Sequence, residues 1–281
     1  MNNLFKGFEI ISNHGTSSEI IGRFLFQPKE IAKRAYNNED VEKKFRDFEK
    51  MNIPDFHDLH DLFNEIKSKY IDFITGLKNG KYFSIDEHKS FTLDRSVEIE
   101  LHRKIKDFYI LGRLLLNNFS KSKIIDTDYF ILNDFLLVND NNFNKNKEIY
   151  YKNDTSKKFE SIILNIEQSR KNFLNTFNQI RADFEHQNLQ IPKVHINTEN
   201  GEINEIGLTK NLNLLEEIEL IYKNLMDLIE ILMVFHFGII AVKKNQNFGI
   251  YESKYYDYSL LSYRFLIFPI GLGTEEYELV I

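Results

Sequence analysis

Apolar residues recur at intervals of three and four along four long stretches of this chain, a spacing that predicts four amphipathic helices. In the first, over residues 54–79, the stripe is Leu59, Phe63, Ile66, Tyr70, Phe73 and Leu77. Pro54 suits a first helical turn and Asn79-Gly80 suits a stop. The second, over residues 94–119, carries Leu101, Ile105, Phe108, Gly112, Leu115 and Phe119, with the glycine at a point where another helix can come close. The third, over residues 156–187, has the most regular seam, formed by Phe159, Ile162, Ile166, Phe173, Phe177, Ile180 and Phe184. The fourth, over residues 211–242, carries Leu215, Ile218, Tyr222, Leu225, Leu228, Leu232 and Phe235. It is apolar beyond a single face, as expected of a central helix or of one at a subunit interface.

Shorter signals fill the intervals. Residues 38–51 predict an N-terminal helix, and residues 139–147, rich in Asn and Lys, read as a solvated loop. Asn200-Gly201, between β-branched residues, predicts a small hairpin. Residues 248–281 are aromatic and β-branched, as in a strand or an extended flap. The expected fold class is all-α: a four-helix bundle with an N-terminal helical extension, a small β-hairpin between helices 3 and 4, and an aromatic C-terminal segment. The expected organisation is an N-terminal extension at residues 1–53, a helical bundle at 54–245, and a C-terminal segment at 246–281 packing on the bundle.

Composition narrows the chemistry. With 281 residues, 42% of them hydrophobic and 25 of them Phe, the chain has ample material for a core. A net charge of −6 argues against coating nucleic acid through bulk charge, leaving room only for a local basic site. The absence of cysteine excludes thiol nucleophiles, cysteine zinc sites and disulfides. The first nine residues hold no uninterrupted apolar stretch of signal-peptide type. Residues 231–242, the longest apolar block, contain His236 and are too short to span a bilayer. A cytoplasmic protein without membrane association is the expectation.

The run Ile180-Arg181-Ala182-Asp183-Phe184-Glu185-His186-Gln187 closes the third helical pattern. An arginine and a histidine held together supply a fixed positive charge for a phosphate and a group that exchanges protons near neutral pH. Such a pair suits phosphoryl transfer on RNA. In a chain of this composition roughly one Arg-x(4 to 6)-His match arises by chance, and Arg95 with His102 is a second match. Position chooses between them. Arg181 and His186 lie where the third helix ends ahead of the most apolar one, whereas Arg95 and His102 lie where a helix begins.

A regular third helix, a break carrying Arg181 and His186, and a strongly apolar last helix resemble the HEPN superfamily of helical-bundle proteins across residues 54–242. Arg181 and His186 fall on that family's Arg-x(4 to 6)-His motif. The resemblance implies a metal-independent endoribonuclease, without cofactor, acting as a homodimer that brings two motifs together. His186 would serve as general base or acid while the RNA 2′-hydroxyl attacks the adjacent phosphorus, and Arg181 would stabilise the developing charge. A 2′,3′-cyclic phosphate and a 5′-hydroxyl would result. A toxin or antiphage-effector role, with an antitoxin or nucleotidyltransferase as partner, belongs to the same expectation. The family carries a polar residue after the arginine where this chain has Ala182, which gives Asp183 or Glu185 the supporting role. Ala182 and the acidic net charge favour the alternative, a non-catalytic HEPN-like binding or scaffolding protein. The ordinary structural account of the motif is an Arg181–Glu185 pair on an exposed helix surface.

Other candidates carry less. His57 and His60 have the spacing of two metal ligands on one helix, but no further ligand is evident and no metal site is expected. His102 reads as a surface or interhelix histidine, and His236 as a core one. Tyr251, Tyr255, Tyr256, Tyr258 and Tyr263, interleaved with Lys254 and Arg264, read as an edge strand or protein interface rather than as a base-stacking platform. Gly271-Leu272-Gly273 reads as a turn.

Overall fold

The computed structural model describes residues 20, 22–29, 31, 39–85, 91–94, 96–121, 130–157, 159–186, 194–196, 203–205, 213–244, 247–254, 264–270 and 277–279. The described chain is mostly helical, as its hydrophobic periods require. Seven α-helices are present among these residues: α1 (Glu39–Lys78), α2 (Ser96–Lys121), α3 (Asn133–Leu136), α4 (Asp140–Asn153), α5 (Glu160–Ser169), α6 (Asn175–Glu185) and α7 (Leu214–Lys244). Short strands β1 (Phe83–Ile85) and β2 (Phe91–Leu93) pair antiparallel, as do β3 (Val194–Ile196) and β4 (Ile203–Glu205). The second pair is the hairpin expected between the third and fourth long helices. Strands β5 (Phe248–Ser253), β6 (Phe265–Pro269) and β7 (Tyr277–Leu279) form an antiparallel sheet in the order β6-β5-β7. Two compact units result, Asp58–Ile229 and Met1–His57 with Glu230–Ile281.

The four stripes are buried almost throughout. Every seam residue of the second and third stripes lies in the core. In the first stripe only Phe63 is half-exposed, and its ring stacks on Tyr222 at 4.3 Å. Gly112 sits at a close approach of helices, for a Cβ there would lie 3.0 Å from Leu225 Cδ2 and 3.1 Å from Phe177 Cζ. Beside it Tyr109 is fully buried against Phe177 and Phe184, with ring centroids 5.2 and 5.5 Å apart.

Local departures from the expected elements have physical causes. Helix α1 does not begin at Pro54 but carries it inside, merging with the helix expected over residues 38–51. An interior proline costs about 3 kcal/mol or more. Burial of Asn52, Ile53 and Phe56 around it, with Phe56 stacked on Phe24 at 4.1 Å, offsets that cost. Residues 139–147 are not a loop: from Asp140 onward they form the first half of α4. Only Phe143 and Tyr150 of α4 are buried, so its stripe is too sparse to read, and asparagine is a weak helix former. The helix is held by its cap, where the Asn139 side chain accepts the Asn142 N–H at 2.9 Å.

The third long helix begins at Glu160 rather than near Ser156, because Asp154 accepts the Ser156 N–H at 3.0 Å and the Tyr150 hydroxyl accepts the Phe159 N–H at 2.8 Å. Burial is the main reason the Tyr150 hydroxyl is pushed up to about 12. Between α5 and α6 the helix passes through a π turn, Arg170–Leu174, closed by the Asn175 N–H on the Arg170 carbonyl. Such a turn inserts a residue into the helix, and here the buried Arg170 opens it.

In the unit containing the termini, residues 230–238 of α7 are buried on almost every side, with Phe237 edge-on to Phe45 at 5.4 Å. The fully buried Glu230 accepts from Arg23 Nε at 2.9 Å, Arg23 Nη2 at 2.6 Å and Gln27 Nε2 at 2.8 Å. Gln27 Oε1 in turn accepts the backbone N–H of Phe265 at 2.8 Å, which ties β6 to this network. Arg264 pairs with Glu252 at 2.7 Å.

Candidate functional site

Helix α6 places the two motif residues at its C-terminal end. Arg181 Nη2 lies 2.5 Å from Glu185 Oε1, one helical turn on, with both side chains about a third exposed. His186 is the residue at which α6 ends; its N–H bonds to the Ala182 carbonyl at 2.9 Å and its side chain is exposed. Of the supporting candidates, Glu185 holds Arg181, while Asp183 accepts from Gln179 Nε2 at 3.0 Å. Among the described residues no hydrogen bond or ion pair joins Arg181 to His186.

Beside Arg181 a cavity of about 400 Å³ opens between α2, the turn leading into α4, and the π turn with α6. Its walls carry three guanidiniums, those of Arg113, Arg170 and Arg181, together with the amides of Asn139, Asn175, Asn178 and Gln179 and the carboxylate of Asp140. Arg170 is spent on structure, donating to the Val138 carbonyl and to Asp140 Oδ1 at 2.6 Å each. That pair, with a further bond from Asn175, holds Asp140 below the usual carboxylate range. Arg113 Nη1 donates to Asn178 Oδ1 at 2.7 Å. Burial first and the nearby Arg181 charge second push Arg113 below the ordinary arginine value, and Glu185 acts in the opposite direction. The arrangement is a concave, partly desolvated cationic surface, the kind that holds an anion through charge-assisted bonds.

The remaining histidines are placed elsewhere. His102 on α2 stands edge-on to Phe184 at 5.3 Å; burial, with Lys106 nearby, holds it below the ordinary histidine value against the pull of Glu98. Its motif partner Arg95 lies outside the described residues. His60 meets the Tyr222 hydroxyl at 2.7 Å, His57 is buried, and the described residues hold no cluster of three metal-ligating side chains. His236 is buried against Phe237 at 4.8 Å, within the core. Of the tyrosine cluster, Tyr251 is buried in β5; Tyr255, Tyr256, Tyr258 and Tyr263, and Gly271-Leu272-Gly273, lie outside the described residues. No described helix is long and apolar enough to cross a membrane.

Sequence reasoning passed over Arg113, Arg170 and Asn178. A signal for Arg170 was present, since it stands four residues after Ile166 and three before Phe173, at a seam position where an apolar residue is the rule. Arg113, next to Gly112 at the edge of its stripe, carried no comparable mark. In comparison with known proteins, no family model, curated protein or solved structure matches this chain.

Proposed function

We propose that this chain is a HEPN-like four-helix-bundle endoribonuclease that cleaves RNA without a metal, acting as a homodimer. The observation that supports it is the position of Arg181, which belongs both to the motif and to the wall of a cavity with two other guanidiniums. A phosphodiester entering from the helix end would meet Arg181 there, with His186 at the terminus of the same helix. His186 would take the proton of the RNA 2′-hydroxyl as it attacks the adjacent phosphorus. The P–O bond to the next nucleotide then breaks, and that 5′-oxygen leaves with a proton. Arg181 would stabilise the charge gathering on the non-bridging oxygens. The products are a 2′,3′-cyclic phosphate and a 5′-hydroxyl. A toxin or antiphage effector in the cytoplasm, held in check by an antitoxin or a nucleotidyltransferase partner, is the setting this activity suits.

A second reading, a non-catalytic binding bundle, is favoured by the Arg181–Glu185 pair at 2.5 Å, since an arginine already neutralised by its own helix is an ordinary surface feature. Cleavage assays on purified protein separate the two. His186→Ala and Arg181→Ala should each abolish cleavage, His102→Ala should leave it intact, and EDTA should not inhibit. Equal activity in the wild type and His186→Ala, or products ending in a 3′-hydroxyl, would exclude the proposed chemistry.

A further inference from the structure

Charge balance around the cavity is uneven. Its one lining carboxylate, Asp140, is engaged by Arg170 and by Asn175, so Arg113 and Arg181 face each other's fields with Glu185, outside the lining, acting against that repulsion. Among the described residues Arg113 has no carboxylate partner, only the neutral oxygen of Asn178. Arg181 gives Nη2 to Glu185, while its Nε is buried without a hydrogen-bond partner. Two guanidiniums held near each other and partly out of water repel, and an anion between them turns that repulsion into two sets of charge-assisted bonds. The polar lining residues come from α2, from α6 and from the turn before α4, so they surround a ligand on more sides than a planar carboxylate uses. A tetrahedral phosphate presents oxygens to all of them. The volume, about 400 Å³, exceeds one phosphate and suits a nucleotide-sized ligand.

We propose that this cavity binds a phosphate group borne by a nucleotide or by an RNA backbone, with Arg113 and Arg181 as its cationic clamp and Asn178 as the residue that orients Arg113. The proposal rests on the reading that Arg181 meets phosphate, and not on proton transfer by His186. It adds Arg113, on a different helix from the motif, as a determinant of binding.

Isothermal titration at low salt tests it with three probes: inorganic phosphate, adenosine 5′-monophosphate, and a uridine hexamer methylated at every 2′-oxygen, which cannot be cleaved by 2′-hydroxyl attack. Arg113→Gln should weaken binding of the best probe about ten- to hundredfold, and Arg181→Gln comparably. Glu185→Gln, which frees Arg181, should tighten it; Leu164→Ala, at an exposed position that does not line the cavity, should leave it unchanged. Should Arg113→Gln melt early, Asn178→Ala takes its place, with weakened binding expected. Binding of the hexamer alone supports the site and assigns it to RNA backbone, whereas equal binding of the monophosphate supports it and assigns a small phosphorylated ligand. No binding by any probe, or affinities within twofold in a folded Arg113→Gln protein, overturns the proposal. Phosphate binding without RNA cleavage leaves the site standing and removes the ribonuclease reading. Cleavage with an unchanged KM in Arg113→Gln does the reverse.

Discussion

Replacing Glu230 by alanine should be among the most damaging single changes in the unit that holds both termini. Glu230 is 0% exposed and Arg23 6%, so the carboxylate and its guanidinium partner are both out of water. Removing the carboxylate takes the charged acceptor from Arg23 Nε and Nη2 and from Gln27 Nε2, and removes the charge that lies 3.7 Å from Arg264 Nη1. Breaking such a pair costs about 3–5 kcal/mol, because the surviving charge keeps its desolvation penalty and loses its compensation. Against a total stability of about 5–15 kcal/mol that loss is large. The exposed pair Lys67–Glu219 is the control: at 2.7 Å it is as short, yet both side chains are more than two-fifths exposed. Glu219→Ala should therefore cost no more than about 1 kcal/mol. Since the chain has no tryptophan, urea unfolding is best followed by far-UV circular dichroism and tyrosine fluorescence. The double variant Arg23→Met/Glu230→Leu should recover most of the loss, because replacing both charges with apolar groups removes the uncompensated one. A Glu230→Ala cost below about 1 kcal/mol, or a double variant worse than the single, would refute the burial argument.

Much of the helical frame was legible in the residues because it depends on period alone. The seams of α2 and of the α5–α6 helix could be written down in advance, since each places an apolar side chain at every turn except those of Gly112 and Arg170, and the core takes all of them. Interactions between residues distant in sequence were not legible. Nothing in the local pattern near Pro54 says that Phe24 will stack on Phe56 and help carry a proline inside α1. Helix α4 escaped because it buries only Phe143 and Tyr150, and because its capping asparagine resembles a loop residue until the bond to Asn142 is seen. The same distinction divides the site. Arg181 and His186 carry a local spacing and were found by it, whereas Arg113 joins Arg181 only through the packing of α2 on α6. Arg170 was half-legible: a charge at a seam position announces a buried role, but only the structure supplies its partners, Val138 and Asp140.

Further outcomes follow from individual contacts. Tyr109→Phe should be neutral or stabilising by up to about 1 kcal/mol in urea unfolding, because the hydroxyl is buried without a hydrogen-bond partner; a loss above about 1 kcal/mol would reveal a bond to it. Gly112→Leu should cost about 1–3 kcal/mol or more, since even its first side-chain carbon would press on Leu225 and Phe177, and an unchanged urea midpoint would rule out that close packing. His102 supplies a test with a definite sign. Burial favours its neutral ring, so the folded protein binds the proton less readily than the unfolded chain, whose histidine titrates near the ordinary 6.5. Its contribution to stability is then fully present above 6.5 and is lost as the pH falls through the depressed folded value. His102→Phe, which keeps an aromatic ring against Phe184 and cannot titrate, should flatten the fall in unfolding free energy below pH 6.5 relative to the wild type. NMR titration of the ring protons gives the direct reading. A midpoint at or above the ordinary value would mean that the ring is solvated, and the edge contact with Phe184 would then fail as the reason for its shift.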